Sequence, residues 1–439
     1  MNPFGIDVRS EVGRLRQVLV HRPGDEIVRM THGDLSRLLF DDILSPAKAA
    51  REHALLCSIL EAAGAEVLEL RTLLGAALAE APTVERERLV ARCCGLAGVD
   101  RLAPALAALA PARLAEALIA GVSWADLPEA PQSLARLRAE HLGRADALPP
   151  VPNLMFMRDP CISIHERAVS ASMATNARAR EPLLVRFALR WGAGGSDQQL
   201  VGGLDPGDGH HIEGGDVLVL SERILMIGCS ERTTASGIQA LAEDVLFPGS
   251  PTLQRVYAVL MPEDRSVMHL DTILTQIDRD LFLGHAPLVC APPDRGGAPV
   301  VVLERGRPPR LVRGASVQDV LRDELGPATA VVPAGGHDPL HQQREQWTDG
   351  ANAVCTNPGH AVLYSRNTYT VATLRDEHGF GVVELTTALR PEERAARLAE
   401  GLELERCVFG FSGSELSRGR GGGRCLTMPL RREPTSHES

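Results

Sequence analysis

Aromatic residues, ordered cysteine spacings and long hydrophobic runs are all scarce in this chain of 439 residues. Aromatics make up 3% of it, so we expect a core of Leu, Val, Ile and Ala. The nine cysteines include no CxxC pair, which excludes a disulfide scaffold and indicates reduced thiols in a cytoplasm. Pro104, Arg113 and Glu116 interrupt the most apolar stretch, residues 102–122, so no transmembrane helix is predicted. The N-terminus shows no secretory signal pattern.

Positive charge is also in deficit. The chain has 46 Lys and Arg against 56 Asp and Glu, which gives a formal net charge of −10. Nucleic acids and anionic membranes bind clustered basic residues, so neither is expected as a partner. Hydrophobic residues at 44% and charged residues at 23% are typical of a globular protein with a sizeable core. The length allows one large fold or two to three ordinary domains.

The composition changes along the chain. Residues 1–75 combine a strand-like run with a helical run, whereas residues 76–149 are mainly Ala, Leu, Arg and Glu punctuated by prolines, which predicts a helical subdomain. Residues 150–430 alternate β-branched runs with helical patterns, which predicts an α/β fold. Residues 431–439 are polar and are predicted to be disordered. The predicted strands include 16–21, 217–220, 224–227, 300–303, 361–364 and 381–385, and the predicted helices include 47–62, 234–246 and 391–402.

The glycine-rich segment 418–429 is the most informative motif. Glycines let the backbone approach a ligand closely, and here they precede Cys425. Arg420 and Arg424 place positive charge near that cysteine, which predicts a lowered thiol pKa and a thiolate nucleophile. The alternative is a flexible glycine loop beside an inert cysteine. A Walker phosphate loop is excluded because its Lys-Ser/Thr ending is missing.

Three further motifs supply an imidazole and carboxylates. His269 and Asp271 are two residues apart, so on a strand both would point to one face, although a structural pair is the alternative. Glu213 and Asp216 flank two glycines, which is also the pattern of an ordinary tight turn. Residues 153–160 contain an Arg-Asp pair, for which a surface loop with a local ion pair is the alternative.

These groups together favour metal-free covalent chemistry. His337 and His341 have a spacing suited to a metal, but no cluster of partner ligands accompanies them, so no metal site is predicted. One thiol, one imidazole and several carboxylates suit covalent attack on a carbon flanked by nitrogens. The surplus carboxylates suit a cationic substrate, because a planar guanidinium pairs bidentately with carboxylate.

In this order, the motifs resemble those of the arginine deiminase family. The resemblance implies a five-fold pseudosymmetric α/β propeller, the pentein fold, with an inserted all-helical subdomain at 76–149 and the catalytic propeller at 1–75 and 150–430. It also implies hydrolysis of L-arginine to L-citrulline and ammonia, no cofactor, a cytoplasmic location and a homo-oligomer. The matching segments are 40–44, 153–160, 177–181, 213–216, 230–233, 268–272, 344–347, 366–369 and 419–429.

The resemblance also assigns roles to individual residues. The family's nucleophile matches Cys425, and its general acid/base matches His269. Its guanidinium-binding carboxylates match Asp159 and Asp271. Glu213 matches the glutamate that pairs with both the substrate and the histidine.

A second group of residues is implied to bind the rest of the substrate. Arg178 and Arg232 match the arginines that hold the substrate carboxylate, and Asn153 lies beside them. Arg420 matches an arginine in a mobile loop near the nucleophile. Arg180, two residues from Arg178, is the competing assignment for the carboxylate contact.

Two positions depart from the family pattern. Arg424 directly precedes the nucleophile where some members have His, and we expect it to alter the protonation of the thiol. Thr370 and Val371 follow Tyr369 where many members have Thr-Asn, which concerns local packing and not the chemistry.

Two classes of function compete with arginine hydrolysis. One is another guanidine-modifying enzyme, either an amidinotransferase or a hydrolase of a different guanidine substrate. The helical insertion disfavours a methylarginine hydrolase, which typically lacks it. The other is a catalytically silent binding protein of the same fold, which has no chemical need for the nucleophile, the histidine and all three carboxylates.

Overall fold

Strands and helices alternate through most of the chain. The computed structural model describes residues 5–127, 132–143, 146–204 and 209–435. The strands are β1 (Leu15–Val20), β2 (Glu66–Glu69), β3 (Val122–Ser123), β4 (Asp146–Leu148), β5 (Cys161–Ile164), β6 (Arg167–Ser170), β7 (Leu200–Val201), β8 (Val217–Ser221), β9 (Ile224–Cys229), β10 (Arg255–Leu260), β11 (Leu274–Gln276), β12 (Leu281–Gly284), β13 (Val300–Glu304), β14 (Arg310–Val312), β15 (Ala330–Pro333), β16 (Val354–Asn357), β17 (His360–Tyr364), β18 (Gly381–Leu385), β19 (Cys407–Phe411) and β20 (Met428–Arg432).

Many of the helices begin where the sequence provides a start signal. Proline occupies the first turn of α3, α7 and α16, where its missing N–H costs nothing. The helices are α1 (Asp25–Val28), α2 (Leu35–Leu38), α3 (Pro46–Ala62), α4 (Leu70–Glu80), α5 (Thr83–Leu96), α6 (Ala103–Ala107), α7 (Pro111–Ala120), α8 (Leu134–His141), α9 (Glu181–Phe187), α10 (Ala235–Ala240), α11 (Phe247–Gly249), α12 (Ala286–Val289), α13 (Val317–Leu325), α14 (Pro339–Trp347), α15 (Thr368–His378) and α16 (Pro391–Leu402).

The predicted elements agree with this order. The six strands proposed from the sequence correspond to β1, β8, β9, β13, β17 and β18, and the predicted helix 391–402 has the bounds of α16. The predicted helix 47–62 is α3, and 234–246 is α10 with its π-helical continuation, Leu241–Leu246. An α/β fold is therefore confirmed.

Five sheets of three or more strands share one connection pattern. In each sheet, the first and second strands of a group pair antiparallel, and a third strand pairs with the second in the parallel direction. A parallel neighbour requires a crossover, and at least one helix lies in every such connection. The five groups are β5-β6-β7, β8-β9-β10, β11-β12-β15, β16-β17-β19 and β20-β1-β2.

The last of these groups joins the two ends of the chain. Strand β20 pairs antiparallel with β1, and β1 pairs parallel with β2. Arg432 reinforces the junction, because its guanidinium donates to the carbonyl oxygens of Gly13 at 2.7 Å and of Cys355 at 2.8 Å. The segment that precedes β20 is thereby fixed against the N-terminal strand.

The predicted disordered tail, residues 431–439, begins too early in the chain, because its first residues are ordered. Arg431 and Arg432 belong to β20, and the backbone N–H of Glu433 donates to Arg14 at 2.9 Å. The expectation of disorder is therefore wrong for these residues, since strand pairing satisfies their backbone. Residues 436–439 lie outside the described residues.

Helices α4 to α8 lie in the region predicted to be helical. Helix α4 begins at Leu70, and two short antiparallel strands, β3 and β4, also fall in the region. The expectation of an all-helical segment is therefore wrong in this detail. Buried Leu74, Leu114 and Leu118 share one hydrophobic core with Leu184 and Leu189 after β6, which attaches these helices to the sheets.

The structure also bears on three features of the sequence. All nine cysteines are free thiols. In the described part of the chain, no helix is both long enough and apolar enough to cross a membrane. Val371, at the second departure from the family pattern, is buried in the core that also contains Leu374 and Phe380.

Candidate active site

Five polar residues lie directly before the first strand of the five sheets. Asp159 precedes β5, Glu213 precedes β8, Asp271 precedes β11, Asn352 precedes β16 and Cys425 precedes β20, each within four residues of the strand. The equivalent position in each sheet therefore contributes one chemically active side chain. The segment Asn153–Pro160 is buried throughout, so it is not a surface loop.

The thiol of Cys425 faces a carboxylate and an amide. Its Sγ lies 3.5 and 3.6 Å from the two side-chain oxygens of Asp271, and Asn352 Nδ2 lies 3.0 Å from it. Burial, followed by the negative charges of Asp271 and Asp159, raises the pKa of Cys425 well above its ordinary value. The pKa of Cys425 therefore shifts in the direction opposite to the predicted lowering.

Arg424 explains why the prediction failed. Its fully buried guanidinium is engaged by carboxylates, because Nη1 donates to Asp271 Oδ2 at 2.9 Å and Nε donates to Glu11 Oε2 at 3.1 Å. Nη2 donates to the carbonyl oxygen of Val217 at 2.6 Å. Arg424 thus holds Asp271 in place and only partly offsets the effect that burial and the carboxylates have on the pKa of Cys425.

His269 is held by Glu213 in a fully buried pair. His269 Nε2 lies 3.0 Å from Glu213 Oε2, and Nδ1 lies 3.8 Å from Asp159 Oδ1. Burial opposes the charge on the imidazole, but attraction to Asp159 and the hydrogen bond to Glu213 outweigh it and raise the pKa of His269 to about 9. Burial would raise the pKa of Glu213, yet its bond to His269 and the charge of Arg178 lower it to about 2.

The local backbone around His269 differs from the expected strand. His269 is extended, whereas Asp271 lies in the 3₁₀ turn Leu270–Thr272, so they do not share a strand face. Asp216 fixes this turn, because it accepts hydrogen bonds from the Leu270 N–H at 2.8 Å and from the Ser230 hydroxyl at 2.7 Å. A Cβ at Gly215 would lie 2.6 Å from His269 Nδ1, so glycine is required for the close approach.

Arg178 and Arg180 occupy different surroundings. Arg178 Nη1 donates to Asp159 Oδ2 at 2.7 Å, and Nη2 donates to Glu181 Oε2 at 2.8 Å. Arg180 instead donates to backbone carbonyls, including that of Pro149, and does not line the site cavity. The competing assignment of Arg180 to the substrate carboxylate is therefore not supported. Arg178 lines the cavity, but carboxylates engage its guanidinium in this structure.

Arg232 and Arg420 have guanidinium N–H groups that make fewer hydrogen bonds than those of Arg178. Arg232 is buried in the site, and its Nε has no hydrogen-bond partner in the described residues, although Glu231 Oε1 lies 3.7 Å from it. Arg420 stacks 3.5 Å above the centre of the Trp347 ring, and its Nε and Nη1 likewise have no described hydrogen-bond partner. Asn153 lines the same cavity and donates its side-chain N–H to the carbonyl of Leu38 at 2.6 Å.

The cavity between these residues is small. Its volume is about 20 Å³, which is room for roughly one water molecule. An arginine-sized ligand therefore requires side chains or the glycine-rich segment to move. The lining residues are Leu39, Asn153, Phe156, Asp159, Arg178, Arg232, Met268, His269, Thr272, Gly419, Arg420 and Cys425.

One group of side chains has a spacing compatible with a metal ion. Candidate ligand atoms of Asp159, Glu213 and His269 lie within 4.8 Å of one another. Arg178 Nη1 is already 2.7 Å from Asp159 and 3.6 Å from Glu213, so a metal would compete with a guanidinium for the same oxygens. His337 pairs with Glu377 at 3.0 Å, while the His341 ring stacks on Tyr369 at 3.6 Å.

The sequence motifs missed Asn352 and Glu11. Asn352 contacts the thiol and Glu11 anchors Arg424, yet neither lies in a segment with a recognisable pattern. The signal for Asn352 is its place before β16, which becomes visible only once the sheets are aligned. Glu11 reaches Arg424 from the opposite end of the chain.

Comparison with known proteins gives a consistent result. A family model described as arginine deiminase matches residues 36–432. An arginine deiminase from Limosilactobacillus fermentum is 35% identical over 436 residues and one from Bacillus cytotoxicus is 34% identical over 439 residues; each alignment covers 98% of both chains. Among solved structures, an amidinotransferase of the saxitoxin biosynthetic pathway from Microseira wollei aligns with a TM-score of 0.51, at 14% identity and 98% coverage of both chains. That likeness shows a shared fold.

Proposed function

The chain belongs to the arginine deiminase family, and from that premise we propose that it hydrolyses L-arginine to L-citrulline and ammonia at Cys425. The observation that carries this proposal is the thiol 3.5 Å from Asp271, in a cavity that it shares with His269 and Asp159. A thiol, an imidazole and two carboxylates in one buried site can hold a guanidinium and attack its carbon.

The first half of the reaction forms a covalent intermediate. Asp159 and Asp271 hold the substrate guanidinium, and the Cys425 thiolate attacks its central carbon. His269, with a pKa raised to about 9, is protonated near neutral pH and donates its proton to the departing nitrogen. Ammonia leaves with that proton, and the carbon stays bound to sulfur as a planar S-alkylthiouronium cation.

The second half regenerates the thiolate. His269, now neutral, takes a proton from water as the water oxygen attacks the thiouronium carbon. The carbon–sulfur bond then breaks, the electron pair returns to Cys425, and loss of a proton from the product leaves citrulline. Glu213, whose pKa is lowered to about 2, stays ionised and stabilises the imidazolium of His269 in both halves of the reaction.

Substrate binding is expected to lower the high pKa of the Cys425 thiol. Burial and the nearby carboxylates favour the neutral form of Cys425. A guanidinium between Asp159 and Asp271 brings positive charge to the same place, which lowers the cost of ionising the sulfur, and the thiol proton passes to solvent water. The nucleophile is therefore activated by the substrate that it attacks.

The substrate carboxylate lies at the other end of the site. We assign it to Arg232 and Arg420, which retain guanidinium N–H groups without a hydrogen-bond partner in the described residues and can form charge-assisted hydrogen bonds, with Asn153 beside them. The role predicted for Arg178, binding the same carboxylate, requires its guanidinium to leave Asp159 and Glu181. In the present arrangement Arg178 instead orients the carboxylate of Asp159.

The larger organisation belongs to the same proposal. The repeated strand pattern supports a five-fold pseudosymmetric α/β propeller, or pentein, with the five strand-preceding residues at its centre. Residues 1–75 and 150–430 would form the catalytic propeller, and 76–149 the inserted helical subdomain. We further propose a cytoplasmic homo-oligomer that uses no cofactor, in keeping with the family resemblance.

A citrulline assay with L-arginine as the sole organic substrate tests the function. We expect citrulline and ammonia in equal amounts, whereas a requirement for an added amine acceptor would indicate an amidinotransferase. Agmatine lacks the α-carboxylate and should react with a kcat/KM lower by at least about ten- to hundred-fold, because a charge-assisted contact is lost. Equal kcat/KM for the two substrates would contradict the assignment of L-arginine.

A further inference from the structure

Asn352 precedes the first strand of its sheet, and in the other four sheets this position holds a residue that we propose to be catalytic. It lies directly before β16, as Asp159, Glu213, Asp271 and Cys425 lie before the first strands of their sheets. The sequence motifs gave no role to Asn352. Its side chain is fully buried and contacts the reacting sulfur.

The orientation of the Asn352 amide is fixed by its neighbours. Its Oδ1 accepts hydrogen bonds from the backbone N–H groups of Arg424 at 3.0 Å and Cys425 at 3.1 Å. Both neighbours are donors, so the oxygen must face them. Nδ2 therefore faces the other way, where it donates to the carbonyl oxygen of Asp271 and to Cys425 Sγ, each at 3.0 Å.

We propose that Asn352 is a catalytic residue whose side-chain N–H stabilises the Cys425 thiolate. This inference rests on the proposed function, in which the thiolate forms before attack and is released again at the end. A hydrogen bond to a charged sulfur is stronger than one to a neutral thiol, so a fixed donor favours the ionised form. The carboxylate of Asp271, 3.5 Å from the sulfur, opposes ionisation and makes this donor necessary.

The backbone around Asn352 keeps the donor in place. The Asn352 N–H donates to the carbonyl of Asp349 at 3.0 Å, and the Gly350 N–H donates to the carbonyl of Glu345 at 2.7 Å. The nucleophile segment lies directly against this turn, since a Cβ at Gly422 would come within 2.5 Å of the Asn352 carbonyl oxygen. A donor held in this way needs no reorganisation when charge develops on sulfur.

Asn352→Asp tests the role of the N–H with little change in shape. The variant keeps an oxygen for the two backbone donors and replaces the donor that faces sulfur by an acceptor. Asn367→Asp is the matched control, because Asn367 is also fully buried and bonds to Thr348 through both its oxygen, at 2.6 Å, and its nitrogen, at 3.0 Å. The readout is the rate at which iodoacetamide alkylates Cys425 at mildly alkaline pH, followed by mass spectrometry of the peptide that contains it.

We expect Asn352→Asp to slow alkylation of Cys425 at least about ten-fold relative to the wild type and Asn367→Asp. Its alkylation profile should also move to higher pH, and kcat for arginine should fall. Alkylation as fast as in Asn367→Asp, in a folded protein, would overturn the inference. If Asn352→Asp does not fold, Asn352→Ser replaces it, because a serine hydroxyl is too short to reach the sulfur and the same slowing is expected. Alkylation needs no turnover, so slowed alkylation with no citrulline from the wild type would refute the proposed function alone.

Discussion

At the residue scale, the site consists of buried charges that stabilise one another. The imidazole of His269 keeps its proton because Glu213 and Asp159 surround it with negative charge. The carboxylate of Asp271 is held by Arg424, which Glu11 holds in turn. Removing one partner therefore changes the protonation of the next.

Glu213→Gln should lower the pKa of His269 from about 9 toward its ordinary value of 6.5. The amide keeps the shape but removes the negative charge that favours imidazolium, so the proton is lost at lower pH. Histidine NMR titration in a Cys425→Ala background measures this directly. Glu52→Gln is the control, because Glu52 is buried and binds the backbone of Glu415 and Leu416.

The expected consequence for activity is a fall in kcat. A histidine with a lower pKa is less often protonated when ammonia must leave. An unchanged titration of His269 in Glu213→Gln would show that the pair does not set its charge.

Arg232→Lys should raise KM for arginine and narrow the difference in kcat/KM between arginine and agmatine. A lysine offers one compact charge where the guanidinium offers a fork that matches a carboxylate. Steady-state kinetics with both substrates provide the measurement, and Arg180→Lys is the control because Arg180 contacts backbone carbonyls outside the cavity. An unchanged ratio in Arg232→Lys would remove Arg232 from the carboxylate site.

At the element scale, the glycine-rich segment must pass very close to the turn that precedes β16. A Cβ at Gly422 would meet Asn352 through its carbonyl oxygen at 2.5 Å, its Cβ at 2.7 Å and its Oδ1 at 2.9 Å. These atoms belong to a rigid, fully buried turn, so the segment that carries Cys425 would have to shift instead.

Gly422→Ala should therefore reduce kcat by on the order of 100-fold, because a displacement of about 1 Å misaligns the nucleophile. Gly75→Ala is the control, since Gly75 lies in α4 and, beyond its own helix backbone, no atom of the described residues lies within 4 Å of an added Cβ. We expect that control to gain about 0.5–1 kcal/mol of stability at unchanged kcat. Kinetics and thermal unfolding of both variants provide the comparison, and full activity in Gly422→Ala would contradict the close contact.

The sequence predicted the elements better than the turns between them. The β-branched runs of β8 and β9 and the proline start of α16 are local signals, and the strands and the helix appear where those signals lie. The turn at Leu270–Thr272 has no such signal, because the carboxylate of Asp216, more than fifty residues earlier, fixes it. Likewise, the position of the Arg424 side chain depends on its contact with Glu11, so it could not be inferred from the residues next to Cys425 in the sequence.

At the scale of the whole molecule, both ends of the chain build the site. Cys425 precedes β20, β20 pairs with β1, and Glu11 lies just before β1. The motifs and their family resemblance predicted Cys425, Asp271, His269, Glu213 and Asp159 as site residues, and the structure places Cys425 beside Asp271 and His269 beside Glu213 and Asp159. The equivalent positions before the five sheets, however, are separated by insertions of unequal length. Asn352 was therefore missed, since no fixed period in the sequence marks its position.

Another buried histidine, His21, is expected to couple pH to the stability of the fold. His21, the residue after β1, is fully buried. Its Nε2 lies 3.2 Å from Glu26 Oε1, and its Nδ1 lies 3.2 Å from Glu69 Oε1. Burial opposes its charge, but the two carboxylates outweigh this and raise the pKa of His21 to about 9. Arg71 extends the cluster to helices α4 and α7 through Glu26 and Glu116.

The unfolding free energy should therefore fall as pH rises. A folded pKa above the unfolded value stabilises the protein fully below about pH 6.5, and this contribution disappears as pH passes about 9. The loss is on the order of 3 kcal/mol for His21. Denaturant unfolding at several pH values should show a smaller alkaline loss in His21→Gln than in the wild type. His337→Gln, which removes a mostly exposed pair with Glu377, should behave like the wild type.

The most direct test of the central claim is to trap the intermediate on Cys425. The protein is mixed with L-arginine labelled at the guanidinium carbon, quenched in acid during turnover, digested and analysed by mass spectrometry. The label should appear on the peptide that contains Cys425, and it should be missing in Cys425→Ala, which should form no citrulline. Citrulline formation with label on another cysteine, or retained activity in Cys425→Ala, would contradict covalent catalysis by Cys425.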